Sequence, residues 1–512
     1  MSSISPDASS DIAPVASDPK RWRALFVIAM AQLMVILDAS IVNIALPSAQ
    51  QDLGITDSDR QWVVTAYTLA FGGLLLLGGR IADYWGRKRT FMLGLVGFAF
   101  ASALGGLAPN AGLLFGARAL QGVFAALLAP AALSLITVTF TESKERAKAF
   151  GVYGAISGGG AAIGLIVGGI LTEYASWRWC LLVNVPFALL TVALAIPFVK
   201  ESRAHGDTSY DIPGAVTATL GLVTLVYGIT KAGTDGWADP VTLTLFAVAV
   251  ALLVGFRVIE VRTRNPLLPS RVVEDRNRGG SFVTMFLTAG GLFAMFLLLS
   301  YYFQGVLGYS ALKSGFAFLP FSIGIIISAG LASQLLPRFG PRPLVTGGLV
   351  GATLGMLWLT QLDTTPQYLT HILPALALMS LGLGFVFVSL AATALFGVSP
   401  HDAGVASGLL NTTQQIGGSL GIAVMNTIAA SATAAYITAN GPESAQAGVV
   451  HGFAVAFAVS AGVLGVAAIV SAILINADRH ALAQHDVGVP AAGKRTAPSS
   501  PGELDTPGAT LT

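Results

Sequence analysis

Fourteen apolar runs divide this sequence, each of the order of the roughly 20 residues an α-helix needs to cross a bilayer. They lie at 24–46, 61–80, 91–109, 112–136, 149–171, 179–199, 212–230, 241–260, 281–302, 315–336, 343–361, 369–397, 404–436 and 450–475. Hydrocarbon offers the backbone no hydrogen-bonding partner, so runs of this length must satisfy their own N–H and C=O groups as helices. Composition agrees: 54% of the 512 residues are hydrophobic and 11% charged, against about 25% charged in a soluble domain. The 59 glycines suit helices that approach closely inside a membrane. The expected fold is an all-α integral membrane protein. Its least certain boundaries are the short connection at Pro109 and Asn110 and the over-long run at 404–436.

The distribution of cations tests this division. With the N-terminus in the cytoplasm and sides alternating, cytoplasmic segments hold 23 of the 28 Lys and Arg residues. Outer loops hold Arg60, Arg178, Lys231 and Lys313, and Arg118 lies inside a run. That asymmetry is the positive-inside pattern, and a miscounted crossing would scramble it. Both termini are therefore expected in the cytoplasm of a protein in the cell (cytoplasmic) membrane. Residues 1–23 are rich in Ser, Pro, Asp and Ala, lack an early basic stretch and read as a disordered tail, as do residues 476–512.

Several function classes find no support. The one Gly-Lys pair, Gly493-Lys494, is followed by Arg495, so no phosphate-binding loop of the Gly-x-x-x-x-Gly-Lys-Ser/Thr type is present. The six histidines fall in connections, tails or run ends without paired spacing, which argues against a metal or haem site in the membrane. A net charge of +2 does not point to nucleic acid, and the single Cys180 cannot form an intramolecular disulfide. No nucleophile has a base near it in sequence, so the chain does not read as an enzyme. Transport remains.

The motifs carry more detail. "GRIADYWGRKR" (Gly79 to Arg89) joins runs 2 and 3 on the cytoplasmic side. Taken as composition, it is a basic turn that sets topology. Its order adds Asp83 at a helix end, four positions before Arg87, with Gly86 free to make a tight turn ahead of Arg87, Lys88 and Arg89. This segment resembles the loop signature of the major facilitator superfamily. "LDASIVNIALP" in run 1, "RALQG" (Arg118 to Gly122), "WRWCLLVNVP" (Trp177 to Pro186), "YFQGVLGYSALKSG" (Tyr302 to Gly315) and "GVASGLLNTTQQIGGSLG" (Gly404 to Gly421) resemble, in order and spacing, the fourteen-span drug:proton antiporters of that superfamily. In run 5, "GLIVGG" (Gly164 to Gly169) has Leu165 where the antiporter signature carries Pro. Gly160, Gly164 and Gly168 nevertheless keep one small stripe at i, i+4, i+8 for helix packing. A weak internal repeat, offset by 254 residues, sets Gly86 on Gly340 and Lys88 on Arg342.

The resemblance implies two six-helix bundles, residues 24–199 and 281–475, with two linking spans and a cytoplasmic loop in 200–280. It implies proton-coupled efflux of lipophilic drugs, antibiotics or dyes by alternating access, with the proton gradient as energy source and no cofactor. An importer of a small metabolite on the same fold is the alternative, and a membrane sensor a distant third. Asp83, Gly86, Arg87 and Lys88 would form the cytoplasmic gate.

Asp38 is an acid within an apolar run, where an ionised carboxylate costs about 2.5–3.5 kcal/mol on insertion scales. Counting back from the outer end of run 1 sets it at a depth of roughly 12 Å, and Arg118 in run 4 at roughly 9 Å, at 1.5 Å per residue. An ion pair is therefore within geometric reach. It serves either as a packing salt bridge or as a titrating site, where desolvation favours the neutral acid and Arg118 the carboxylate. In the resembled family the run 1 acid binds protons or cationic substrate, with the run 4 Arg as partner. Asn43 lies about 140° around the helix from Asp38. With Tyr67, Gln121, Asn411, Gln414 and Gln415 it forms the set of uncharged polar residues that could line a substrate cavity, each equally readable as a packing hydrogen bond. A single mid-run carboxylate matches monocationic or neutral lipophilic substrates. The expected partners are that substrate, protons and membrane lipid, with no nucleic acid.

Overall fold

The computed structural model describes residues 20–476, apart from 141, 204–210, 264–265, 268–269, 366, 397 and 399–402. Both expected tails fall almost wholly outside the described residues. Every described element is helical. The first half of the chain forms α1 (Arg21–Leu53), α2 (Trp62–Trp85), α3 (Arg87–Gly106), α4 (Ala111–Thr139), α5 (Ser143–Tyr174), the short α6 (Trp179–Leu182) and α7 (Asn184–Phe198). A hairpin follows, α8 (Ile212–Asp235) and α9 (Pro240–Arg262), then the four-residue α10 (Ser270–Val273). The second half forms α11 (Arg276–Tyr301), α12 (Ala311–Phe339), α13 (Pro341–Leu359), α14 (Leu373–Leu395), α15 (Ala403–Asn440) and α16 (Ala445–Leu474). Wider π-type turns extend α11 over Tyr302–Val306 and precede α14 over Tyr368–Ile372. Among the described residues, eleven helical stretches are long and apolar enough to cross a membrane, and shorter apolar stretches cover Trp62–Leu75 and Ile163–Tyr174. The over-long run at 404–436 lies within one 38-residue helix, α15.

Helix ends follow local chemistry. Gly54 closes α1 in the left-handed region, φ 61°, where a side chain would be strained. Asn110 lets α4 start immediately after a four-residue connection, because its Oδ1 accepts from Leu113 N at 2.9 Å. Asp239 and Asp275 cap α9 and α11 in the same way. The repeat expected between the two halves is visible in the backbone: Gly86 between α2 and α3 has φ 126°, and Gly340 between α12 and α13 has φ 77°.

Two apolar cores dominate. One is built from residues between Ala24 and Val199. The other joins residues of α11 to α16, with Ile44 and Leu165 packed against it from the first half. The α5 stripe meets α1: a Cβ at Gly160 would lie 3.0 Å from Ile36 Cγ2, one at Gly164 would overlap Ser40 Oγ, and one at Gly168 would lie 3.1 Å from the Ile41 carbonyl. Leu165, in place of the antiporter proline, is buried and lies against Gly315 of α12. Helix α8 lies along both α2 and α15, joining Leu69, Val226 and Ala423 in one small cluster.

Direct hydrogen bonds between the two halves gather toward the end that carries the 54–61, 175–178 and 307–310 connections. Arg60 Nε donates to Asn426 Oδ1 at 2.9 Å, and Asn426 Nδ2 donates to the Asp57 carbonyl at 3.0 Å. Gln304 Nε2 donates to the Ile44 carbonyl, and Leu312 N to Glu173 Oε2, each at 3.0 Å. Thr68 and Ser419 bond through their hydroxyls. The Arg60 guanidinium also stacks over the Tyr301 ring at 3.9 Å.

Candidate functional site

The face of α1 that carries Asp38 turns into the first half of the molecule, away from the second. Asp38 is 0% exposed and Arg118 of α4 1%. The equal depths expected from the sequence become direct contact: Arg118 Nη1 donates to Asp38 Oδ2 at 2.6 Å. Two further neighbours complete the carboxylate. Gln121, one turn along α4, donates from Nε2 to Asp38 Oδ1 at 3.0 Å, and Asn184 of α7 donates from Nδ2 to the same oxygen at 2.8 Å. Gln121 also donates to Ser102 Oγ of α3 at 2.6 Å and accepts from Arg118 Nη1 at 2.8 Å. The Arg118 Nε–H reaches the Val63 carbonyl of α2 at 2.9 Å, and its guanidinium lies 4.6 Å from the Tyr67 ring centroid.

Five helices therefore converge on one ion pair. Burying both charges is costly, and the hydrogen bonds that saturate them are what make the pair tolerable. Removing either partner leaves an uncompensated buried charge, worth about 3–5 kcal/mol. Chemically, a proton and the Arg118 guanidinium are competing partners for the Asp38 carboxylate.

Asn184 stands at the start of α7, where Val183, between α6 and α7, keeps helical backbone angles of φ -60° and ψ -26°. Pro186, two residues on, has no N–H to offer the Leu182 carbonyl. Asn184 and Ser102 were not among the residues expected from the sequence. Asn184 sits inside "WRWCLLVNVP", so the signal lay in the motif, but nothing local ties its amide to Asp38, 146 positions away.

The residues set aside for a substrate cavity separate into two groups. Tyr67 and Gln121 are buried within the ion-pair cluster and its surroundings, where Tyr67 also packs on Phe71 with ring centroids 5.7 Å apart. Asn43 is half-buried and donates to the Ala39 carbonyl. Asn411 is exposed and donates to the Ser407 carbonyl, while Gln414 and Gln415 are half-buried on α15. Gln415 lies at the contact between α15 and α2, where a Cβ on Gly72 would come within 2.9 Å of its own Cβ.

At the connection between α2 and α3, Gly86, Arg87 and Lys88 meet a partner that the sequence did not announce. Glu201, just beyond α7, accepts from the backbone N–H groups of Lys88 at 3.1 Å and Arg89 at 3.2 Å, while Arg87 N donates to the Ser202 carbonyl at 3.0 Å. A carboxylate thus sits on the N-terminus of α3, where orphan N–H groups and the helix dipole favour it. A Cβ on Gly86 would lie 2.8 Å from Glu201 Oε1, so glycine serves both the positive φ and the close approach. Lys88 Nζ donates to the Ile196 carbonyl at 2.7 Å. Asp83 lies on α2, and its side chain falls outside what is described.

Comparison with known proteins bears on this architecture. The family described as Major Facilitator Superfamily matches residues 28–422. The puromycin resistance protein pur8 of Streptomyces alboniger is 52% identical over 464 residues, spanning 90% of this chain and 92% of that one. The cephamycin export protein CmcT of Amycolatopsis lactamdurans is 38% identical over 414 residues, 80% of this chain and 85% of that one. Among solved structures, a bacterial homolog of the human lysosomal transporter Spinster superposes with a TM-score of 0.63 at 14% identity, covering 91% of this chain and 98% of that chain. The last is a likeness of fold alone.

Proposed function

The chain belongs to the major facilitator superfamily and is a drug-efflux transporter of it, and we propose that it expels its substrate in exchange for protons bound at Asp38. The observation that carries the proposal is the Asp38–Arg118 pair at 2.6 Å, fully enclosed on membrane helices and surrounded by neutral donors. With Asp38 ionised, Arg118 and the two amides hold α1 to α4 and α7. Proton uptake cancels the charge, weakens the Arg118 contact and frees these helices to rearrange. A proton gradient then biases which side the transporter opens to, with no cofactor required.

In this reading the chain crosses the cell membrane fourteen times with both termini in the cytoplasm, and residues 24–199 and 281–475 rock against each other. The hydrogen bonds from Arg60, Gln304 and Thr68 to the opposite half close the outer end and must break for release outside. Cysteine replacements of Ser58, Asp235 and Glu443, in a Cys180→Ser background, should react with an impermeant reagent from outside, and one of Ser499 only from inside. Protection of the Glu443 site from outside would overturn the even number of crossings.

The substrate is a lipophilic, monocationic or neutral compound, because Asp38, the one carboxylate away from the ends of the fourteen runs, offers little counter-charge to a dication in a medium of low dielectric constant. Puromycin is the first compound to test, given the resistance protein that resembles this chain over nine-tenths of its length. In proteoliposomes, an imposed pH gradient should drive uphill puromycin movement by the wild-type protein and none by Asp38→Asn, which still inserts because span 1 has lost a charge. Full gradient-driven movement by Asp38→Asn would remove Asp38 from the coupling mechanism.

A further inference from the structure

We propose that Asn184 is the positioning residue that follows the protonation state of Asp38, by turning its side-chain amide over when the carboxylate takes up a proton. The inference rests on the reading that Asp38 titrates, and adds the partner that makes the protonated state tenable in a dry interior.

An ionised carboxylate accepts hydrogen bonds only. Asp38 Oδ2 is occupied by Arg118 Nη1, whereas Oδ1 receives only neutral donors, Gln121 Nε2 and Asn184 Nδ2. A proton arriving at the pair therefore adds to Oδ1, the oxygen away from the guanidinium. The product is a carboxylic acid whose new O–H needs an acceptor, and a buried donor without one costs free energy. The titratable and charged groups facing Asp38 are Arg118 from α4, Tyr67 from α2 and Cys180 from α6. Arg118 has no acceptor to offer, the Tyr67 hydroxyl makes no hydrogen bond to Asp38, and Cys180 is engaged with Thr172 Oγ1 and the Gly168 carbonyl.

The two amides differ in freedom. Gln121 is pinned at both ends: Oε1 accepts from Arg118 Nη1 at 2.8 Å, and Nε2 is shared between Asp38 and Ser102 Oγ. Turning it over would break bonds to Arg118 and Ser102 together. Asn184 is 2% exposed, and its amide N–H group has Asp38 as hydrogen-bond partner. Rotation about its terminal torsion exchanges Nδ2 for Oδ1 at the same position, so the Asp38 O–H donates to Asn184 Oδ1. One O–H bond forms on Asp38, one N–H···O contact is replaced by one O–H···O contact, and nothing else is transferred.

Infrared difference spectra between acidic and alkaline buffer test this on the full-length protein in lipid vesicles. In the wild type, a protonated-carboxyl band should appear together with a change in a side-chain amide band. In Asn184→Leu the carboxyl band should persist but move to the higher frequency of a weakly bonded acid, the amide change should vanish, and gradient-driven export should fall by about tenfold, the scale of one hydrogen bond to a charged group. Asn184→Ser, whose hydroxyl both donates and accepts, should recover most of the export and keep the carboxyl band near its wild-type position, still without the amide change. A carboxyl band unmoved in Asn184→Leu, or an amide change that survives in Asn184→Ser, would refute the role of Asn184. Persistence of the carboxyl band in Asp38→Asn would instead refute titration of Asp38, whatever Asn184 does.

Discussion

The interior of residues 24–199 holds a carboxylate, a guanidinium, two amides and a hydroxyl in mutual hydrogen bonds, whereas the buried residues described in α11 to α16 include no charged side chain and carry a cluster of aromatic rings. Phe303 is fully buried and meets Phe318 edge-on at 5.2 Å, Tyr309 at 5.8 Å and Tyr368 at 6.5 Å, and Phe296 meets Phe321 edge-on at 5.1 Å. The 254-residue offset that carries Gly86 onto Gly340 carries Asp38 onto Leu292, which is buried in the apolar core. The repeat thus keeps the turn glycine and a cation after it, Lys88 and Arg342, but not the buried charge of Asp38. One half has a charged pair in its interior, and the other an interior packed by dispersion and ring contacts.

The sharpest way to break that comparison is to exchange what the paired positions lack. Asp38→Asn should take gradient-driven export to background with folded protein still present. Leu292→Ala should cost about 2–5 kcal/mol of stability and lower the amount of folded protein, while survivors keep the wild-type dependence of export on pH. Loss of pH dependence in Leu292→Ala would show that the second half also takes part in coupling.

Next in size is the cost of a broken pair against that of a lost ring. Arg118→Ala should destabilise by about 3–5 kcal/mol, because Asp38 stays buried without a counter-charge, and adding Asp38→Asn should restore much of it. Phe303→Ala should cost a similar 3–5 kcal/mol as cavity formation, with no recovery from Asp38→Asn. Thermal unfolding of the four proteins in detergent measures the difference, and equal recovery of both would mean that Asp38→Asn stabilises nonspecifically.

Smaller effects separate the two turns. Gly340→Ala should lose about 1–3 kcal/mol, because φ 77° with ψ 171° is a backbone region open essentially to glycine. Gly86→Ala should lose more, since its Cβ also meets the Glu201 carboxylate, and Glu201→Ala should relieve only the excess. The smallest change expected is Glu201→Gln, about 0.3–1 kcal/mol from the lost charge at the α3 N-terminus. Stability that does not change even at low ionic strength would show that the carboxylate acts there through hydrogen bonds alone.

Much of this was legible before any coordinates. Runs of apolar residues dictate helices because lipid leaves the backbone no other partner, and Gly86 and Asn110 mark turns because short-range geometry demands such residues there. The depths of Asp38 and Arg118 follow from helical rise, so their meeting could be anticipated by counting along α1 and α4. The fates of Tyr67 and Gln121 were not legible in that way. Both were plausible cavity residues by polarity and depth, and only helix rotation turned them inward onto the ion pair. The same holds for Asn184, which reaches Asp38 from 146 positions away, and for Glu201, which reaches α3 from 112 and 113 positions along the chain. Local sequence determines which segments are helical and how deep a residue sits, because those depend on neighbours within a few turns. Which side chain faces which is decided by packing among helices far apart in the chain, and here that packing selected the partners of the one carboxylate on which coupling is proposed to depend.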